Sequence, residues 1–280
     1  MDVLLLDDTD LFAAAADEFL RHERFSANVI ATNLHAIRRG VRPVPPGATW
    51  IVVEDAGVVR GAAMHTPPFP LFLPRLDADV AETLAHALSD ARRPLPGVNG
   101  DQASVARFAD VWLDRTGQPS RCRTSMRMYV LGVLRPPLGV PGRARVACES
   151  DGALLAHWAA AFHDEAMRTG PAEDWGAWAH RRIAEGDLWV WIDGGEPVSM
   201  AARSAPAAGV SRVGPVFTSP DARRRGYGAA VTAAVTRAAI DAGAEEVVLY
   251  TDLANPVSNS IYQTIGYRPD HDAEERDFFA

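Results

Sequence analysis

The chain has 280 residues, of which 48% are hydrophobic and 23% charged, a composition typical of a globular protein with a buried core. Its length favours two domains of about 140 residues each. A net charge of −8 argues against a general nucleic-acid-binding protein, and no apolar run approaches the length of a membrane span. The N-terminal apolar run is too short for a signal peptide, so we expect a cytoplasmic protein.

The first half of the chain predicts helices, a hairpin, and then alternating strands and helices. Helical spacing of apolar residues predicts a helix after Asp10 and another after Ser26. The elements that follow are the hairpin strands Thr49–Val53 and Val58–Met64, Leu71–Leu73, a helix over Asp79–Ala91, a strand near Val98, a helix over Val105–Thr116 and a strand over Ser125–Leu134.

The second half repeats this order of elements. A strand near Val146 precedes helices that begin at Leu154 and Trp175, and the hairpin strands Leu188–Ile192 and Val198–Ala202 follow. Between the halves, residues 135–144 form a stretch rich in proline and glycine, which predicts a linker. The predicted domains are therefore 1–134 and 145–280.

Two cysteines, Cys122 and Cys148, fall in different predicted domains. Their spacing matches no metal or redox motif, so we expect no metal and two reduced, buried thiols.

The stretch from Val213 to Gly243 predicts a strand, a glycine-containing loop and a helix. Gly214 and Pro215 interrupt the strand, and a proline without an N–H predicts a bulge or a splayed strand there. Arg223-Arg-Arg-Gly226-Tyr-Gly228 follows, and Val231 begins the apolar stripe of the helix. The free amides of a helix N-terminus attract anions, so this loop is a candidate site for a phosphate or diphosphate.

Three kinds of phosphate loop are compatible with strand, loop and helix. A Walker loop requires a lysine, and the sequence has none. A dinucleotide fingerprint requires a glycine where Val231 stands and a first glycine directly after the strand, although Asp252 matches its ribose-binding acid. The third pattern, Gln/Arg-x-x-Gly-x-Gly/Ala, fits Arg223–Gly228 in full.

A second motif follows the next predicted strand, Val247–Thr251. Asn255 and Pro256 are typical of a helix start, and Gly266 of a helix end. Asn259 and Tyr262 share one face of this predicted helix.

In order and spacing, the two motifs resemble those of the GNAT (GCN5-related N-acetyltransferase) superfamily, including its ending Asn-x-x-Ala-x-x-x-Tyr-x-x-x-Gly-Phe/Tyr. The resemblance implies an α+β fold of two GNAT-like domains, each with a mixed, mostly antiparallel sheet flanked by helices. It also implies an acetyl-CoA-dependent N-acetyltransferase, in which an amine attacks the acetyl thioester directly.

The resemblance further implies roles for named residues. The backbone of Val216, Phe217 and Thr218 would pair with the pantetheine arm of acetyl-CoA. Tyr262 would be the general acid that protonates the leaving thiolate. The remaining implied cofactor-binding residues are Arg223, Arg224, Arg225, Gly226, Tyr227, Gly228, Ala229, Asn255 and Asn259. Arg224 stands where the family commonly has glycine.

Several functional points stay open at the level of sequence. The general base is unassigned among Asp164, Glu165, Glu173, Asp252 and a water molecule. A CoA-binding regulatory protein and a transferase of longer acyl groups are the alternatives to acetyl transfer. We expect a small-molecule amine as acceptor, and the sequence leaves a homodimer open.

The two predicted halves differ where the chemistry would take place. Residues 73–80 of the first half contain no glycine loop before their helix, and that half has no counterpart of Asn255 and Tyr262. Mycothiol synthase has a similar tandem arrangement, in which one half carries the chemistry. We therefore expect the first half to be a degenerate copy that does not bind CoA and that walls the acceptor pocket.

Overall fold

The hydrophobic periodicities correspond to strands and helices that follow the same order in each half of the chain. A computed structural model describes residues 1–166 and 174–279. The first group of elements is β1 (Asp2–Leu6), α1 (Thr9–His22), α2 (Asn28–Arg38), β2 (Thr49–Asp55), β3 (Val58–His65), β4 (Leu71–Leu73), α3 (Ala78–Asp90), β5 (Gly97–Asp101), α4 (Gln102–Thr116) and β6 (Ser120–Leu131). The second group is β7 (Arg143–Val146), α5 (Gly152–Ala166), α6 (Trp175–Ala184), β8 (Leu188–Asp193), β9 (Glu196–Arg203), β10 (Val210–Thr218), α7 (Tyr227–Asp241), β11 (Glu246–Asp252), α8 (Pro256–Thr264) and β12 (Tyr267–Phe278).

These elements form two units. The first unit is Met1–Met126 together with the chain from His271 onward, and the second unit is Arg127–Asp270. The two predicted hairpins are present as the antiparallel pairs β2–β3 and β8–β9. The α+β class with a mixed, mostly antiparallel sheet flanked by helices is confirmed.

The first unit has a sheet with a buried cluster on each face. Its strands follow the order β1-β2-β3-β4-β5-β12-β6, and β4 and β5 run parallel. Phe12 of α1 and Ile30 of α2 belong to one buried cluster, whereas Leu84 of α3 and Phe108 of α4 belong to the other.

The second unit is built in the same way, with strand order β7-β8-β9-β10-β11-β6. Here β10 and β11 are the parallel pair, joined by α7. Trp158 of α5 and Trp178 of α6 belong to one buried cluster, and Val231 of α7 and Tyr262 of α8 to the other. The strand β10 belongs to both layers, because Val213 faces one cluster and Phe217 the other.

The division between the units differs from the predicted boundaries at 134 and 145. β6 begins in the first unit and continues into the second, and residues 273–277 of β12 pair with β5 of the first unit. The stretch 135–144 is irregular up to Gly142, but it lies within the second unit and does not join the two units. Composition predicts the irregular stretch, but it cannot show which sheet a strand joins, because strand pairing depends on residues far away in the sequence.

The prediction that both cysteines are buried is wrong. Cys122 and Cys148 are both exposed, and both are free thiols. Cys148 lies at the start of a 3₁₀ turn, where its sulfur contacts the carboxylate of Asp151 at 3.3 Å.

Within the described ranges, no helix combines the length and the apolar character that a bilayer crossing requires. Nor does that part of the chain bring together three His, Cys, Asp or Glu side chains as a metal site would.

Candidate active site

β10 changes its pairing partner halfway along its length. Up to Val213, which lies opposite Leu249, it pairs in parallel with β11. At Gly214 and Pro215 the register with β9 shifts, and Gly214 has a φ of 145°, which glycine adopts far more readily than other residues. From there to Thr218, the edge of β10 that faces β11 has no strand partner in the described part of the chain.

The hydrogen bonds of β10 show which of its backbone groups face this free edge. The Ser219 N–H donates to the Val198 carbonyl at 3.1 Å, and the Phe217 carbonyl accepts from the Ser199 hydroxyl at 2.8 Å. Phe217 and Ser219 therefore point towards β9.

Because backbone groups alternate along a strand, the neighbours Val216 and Thr218 point away from β9, to the free edge. The pairing of these three residues with the pantetheine arm stays a prediction. Val216 and Thr218 can pair with an extended ligand, whereas the backbone groups of Phe217 are directed to β9.

The helix that follows begins without a side-chain cap. Its N-cap is Gly226, with a φ of 84°, and the first helical hydrogen bond runs from the Ala230 N–H to the Gly226 carbonyl at 3.0 Å. The N–H groups of Tyr227, Gly228 and Ala229 precede that bond and have no acceptor within the helix. Together with the helix dipole, they form a site for an anion.

Two glycines bring this first turn close to its surroundings. A Cβ on Gly226 would lie 3.0 Å from Cγ2 of Val140, at a backbone angle that already disfavours any side chain. A Cβ on Gly228 would lie 3.3 Å from Oγ1 of Thr218. The last residue of the free edge of β10 is therefore a direct neighbour of the first turn of α7.

Arg223 is held at the end of β10. Its Nε donates to the Thr218 carbonyl at 3.1 Å, and its Nη2 contacts both carboxylate oxygens of Glu165 at 2.9 Å. The guanidinium also lies over the ring of Phe217, 5.5 Å from its centre. Arg223 therefore connects α5 to β10 through its side chain.

Arg225 is held on the other side of the loop, by Asp193 in the turn between β8 and β9. Its Nη2 lies 3.3 Å from Oδ2 of Asp193, and its guanidinium lies 5.1 Å from the ring centre of Tyr227. The Tyr227 hydroxyl donates to the same carboxylate oxygen. This hydrogen bond, together with burial, raises the pKa of Tyr227 above its ordinary value.

Arg224 differs from the arginines on either side of it. It has a φ of 62°, the left-handed region, which costs a residue with a Cβ about 1–2 kcal/mol. Its side chain is exposed, and it forms no ion pair or hydrogen bond with the residues that the structure describes. The left-handed angle gives a physical reason for the glycine that the family pattern commonly has at this position.

Tyr262 lies on α8 with 9% of its surface exposed. Its ring packs edge-on against Tyr267, with 6.4 Å between ring centres. Burial raises the pKa of Tyr262 to about 12. The phenol is therefore protonated at neutral pH, and its hydroxyl makes no hydrogen bond to any described residue.

The two predicted asparagines hold the turn between β11 and α8. Asn255 accepts a hydrogen bond from the Ser258 N–H at 3.0 Å, as an N-cap does. Asn259 donates to the Asp252 carbonyl at 2.9 Å and to the Asn255 carbonyl at 2.7 Å, and it accepts from the Tyr129 hydroxyl at 2.8 Å. Both donors of the Asn259 amide are thus used within the protein, and the cofactor contacts of these asparagines stay predictions.

The candidates for a general base have other partners or are open to solvent. Glu165 is paired with Arg223, and Asp252 accepts a hydrogen bond from the Ala254 N–H at 2.7 Å. Asp164 is exposed. Glu173 lies outside the described residues.

Sequence patterns gave no signal for three residues that support the site. Val140 packs beside Gly226, Asp193 binds Tyr227, and Tyr129 binds Asn259. Asp193 is 34 residues from its partner and Tyr129 is 130 residues from its partner, so no local pattern connects them.

Comparison with known protein families gives a match within the second half of the chain. Residues 151–267 match the model of the acetyltransferase (GNAT) family. A comparison with curated protein sequences gave no match.

Solved structures resemble the chain over nearly its whole length. An acetyltransferase of the GNAT family from Colwellia psychrerythraea has a TM-score of 0.60 at 10% identity, with 100% of both chains covered. A Drosophila protein has a TM-score of 0.73 at 13% identity, over 99% of this chain and 98% of that one. A tandem GNAT protein from the clavulanic acid biosynthesis pathway has a TM-score of 0.55 at 13% identity, over 99% and 98%. At these identities the likeness shows a shared fold.

Proposed function

Because residues 151–267 match the acetyltransferase (GNAT) family model, we propose that the chain is a member of this family and an acetyl-CoA-dependent N-acetyltransferase. The acceptor in this proposal is the primary amine of a small molecule, which attacks the thioester directly in a ternary complex. We place the protein in the cytoplasm.

One observation carries this proposal. The free edge of β10 ends at Thr218, and Oγ1 of Thr218 lies 3.3 Å from the Cβ position of Gly228 in the uncapped first turn of α7. A strand edge without a strand partner in the described residues thus leads directly into a site for an anion. A ligand that joins an extended amide-containing arm to a diphosphate, as CoA does, fits this sequence of groups.

In this proposal, different residues bind the pantetheine arm and the diphosphate of CoA. Val216 and Thr218 offer backbone groups to the amides of the pantetheine arm, as a neighbouring strand would. The N–H groups of Tyr227, Gly228 and Ala229 bind the diphosphate. Arg224, which has no ion-pair partner among the described residues, adds a positive charge beside these amides.

Tyr262 acts on the leaving group. Acetyl-CoA, when bound, supplies the thioester whose acetyl group is transferred. A phenol with a pKa of about 12 is protonated at neutral pH, so it can donate to the sulfur. An ordinary thiol has a pKa of about 8.5, so full proton transfer from this phenol is unfavourable, and the hydrogen bond to the developing charge is its main contribution.

The first unit has no matching free strand edge, and its corresponding helix start disfavours an anion, which supports one cofactor site per chain. β4 pairs with β5 along its full length, from Leu71 opposite Val98 to Leu73 opposite Gly100, and so leaves no free edge between them. The first turn of α3 carries Asp79, whose charge disfavours a phosphate.

Calorimetric titration with acetyl-CoA tests the proposal. We expect one site per chain in the wild type and no binding in Gly228→Trp, in which the indole fills the first turn of α7. Gly152→Trp is the matched control, because it places the same side chain in the first turn of α5, where a Cβ has only one ordinary contact. Absence of binding to the wild-type protein would refute the proposal.

Turnover separates an enzyme from a CoA-binding regulatory protein. Release of free CoA thiol that depends on an added amine, measured over a panel of primary amines, is expected for the wild type. Binding without amine-dependent thiol release from any of them would favour the regulatory alternative.

A further inference from the structure

A single carboxylate holds both sides of the glycine at which α7 begins. Asp193 accepts the hydroxyl of Tyr227 and pairs with Arg225 at 3.3 Å, and these two residues flank Gly226. Tyr227 is 1% exposed, so packing restrains its ring, and Asp193 accepts the hydrogen bond of its hydroxyl.

Within the described residues, no side chain caps this helix start. Gly226 has no side chain with which to cap the helix. Its φ is left-handed, but glycine adopts other backbone conformations nearly as readily, so the residue itself does not fix the start of the helix. Tyr227 is the first residue of the helix, and its N–H is one of the three first-turn amides without a helical acceptor. The direction of that N–H therefore depends on the anchor that Asp193 provides for the Tyr227 side chain.

The negative charge of Asp193 affects the affinity for a phosphate-containing ligand in two ways. A carboxylate near a phosphate site repels the ligand and lowers affinity, unless its positioning of the binding groups outweighs the repulsion. Arg225 offsets part of that charge. The two effects of Asp193 on cofactor affinity thus have opposite signs, and a substitution distinguishes them.

We propose that Asp193 is a positioning residue of the cofactor site, which orients the first-turn amides of α7 by binding the hydroxyl of Tyr227. This inference rests on the proposed function and assigns a role to the turn between β8 and β9. Asp193 itself contacts no ligand in this role.

Calorimetry with acetyl-CoA on four proteins tests it. We expect Asp193→Ala to weaken binding about tenfold, and Asp193→Asn, which keeps an oxygen for the Tyr227 hydroxyl, to stay within about threefold of the wild type. Tyr227→Phe removes the hydroxyl but keeps the ring and the charge of Asp193, so it should weaken binding at least as much as Asp193→Ala. Glu196→Ala is the control: it lies opposite Asp193 in the same turn, is exposed, and removes the same charge.

A double variant and a shorter substrate separate positioning from general damage. Asp193→Ala combined with Tyr227→Phe should bind no more weakly than either single variant, because both remove the same hydrogen bond. S-acetylpantetheine has the thioester but no diphosphate, so the preference for acetyl-CoA over it, measured as a ratio of kcat/KM values, should fall about tenfold in Asp193→Ala.

The outcomes distinguish this inference from the proposed function. Absence of acetyl-CoA binding by the wild type would refute the proposed function. Binding by the wild type, with equal or tighter binding by Asp193→Ala or with wild-type affinity in Tyr227→Phe, would overturn the positioning role alone. An unchanged substrate preference would overturn it as well, and circular dichroism and thermal unfolding of each variant show that the fold is intact.

Discussion

Gly226→Ala is the substitution whose effect the structure defines best. The left-handed φ of 84° costs an alanine about 1–2 kcal/mol. The new Cβ would lie 3.0 Å from Cγ2 of Val140, a contact that adds about 1 kcal/mol if Val140 yields only in part. Lower entropy of the unfolded chain offsets about 0.4–1 kcal/mol. We therefore expect the free energy of unfolding to fall by about 2 kcal/mol.

Gly243→Ala is the matched substitution at the other end of α7. Gly243 has a φ of 89°, and a Cβ there meets nothing within 4 Å. Its cost is therefore that of the backbone alone, about 1 kcal/mol. Measured against Val140→Ala alone, Gly226→Ala should cost only as much as Gly243→Ala does in the wild type, because the close contact is absent.

Urea denaturation and acetyl-CoA calorimetry measure the two effects. We expect acetyl-CoA binding to weaken about tenfold in Gly226→Ala, because the first-turn amides shift with the helix start, and to be unchanged in Gly243→Ala. Equal losses of stability in the two variants would contradict the Val140 contact. Equal affinities would contradict the placement of the diphosphate at this turn.

Three other substitutions have defined outcomes. Tyr262→Phe should lower kcat about 100-fold with little change in acetyl-CoA affinity, and a variant kcat equal to that of the wild type would remove Tyr262 from the mechanism. Because the pKa of Tyr262 is about 12, deprotonation of this phenol should not lower the kcat of the wild type below about pH 10. Glu165→Gln should leave kcat within about threefold, since Glu165 binds Arg223, whereas loss of a general base would cost about 100-fold or more. The hydrogen bond from Arg145 lowers the pKa of Asp151 from 3.8 to about 2, so this pair stabilises the fold above about pH 4 and the contribution is lost as the pH falls towards 2. Asp151→Asn should therefore lower the free energy of unfolding at pH 7 by about 1–2 kcal/mol and flatten its dependence on pH between 2 and 4, as urea denaturation across that range would show; an unchanged acid profile would contradict it.

Local pattern predicted much of the fold and the path of the candidate site. The hairpins follow from apolar runs on either side of a polar or glycine-containing turn, and the interruption of β10 follows from Gly214-Pro215, because proline cannot take part in a ladder on both sides. The start of α7 at Gly226 follows from glycine beside an apolar stripe.

Long-range contacts account for what the sequence did not predict. The backbone groups of Phe217 point towards β9 because the hydrogen bond from the Ser219 N–H to the Val198 carbonyl sets the register of β10 against β9. The three arginines look alike in sequence, yet Glu165, 58 residues from Arg223, and Asp193 on the opposite side separate their roles. Such ion pairs form only when elements that are distant in the sequence meet, so the local sequence around each arginine does not predict them.

The pairing of β12 with β5 has a consequence for how the chain acquires its structure during synthesis. Residues 273–277 leave the ribosome more than a hundred positions after β5, yet they complete the sheet of the first unit. Until then, β5 has an unpaired edge, and an unpaired edge invites pairing with other chains. While the second half is being translated, β5 in the nascent first half therefore exposes an edge that can pair with other chains. The first unit cannot complete its sheet until the C-terminal strand β12 has been synthesised.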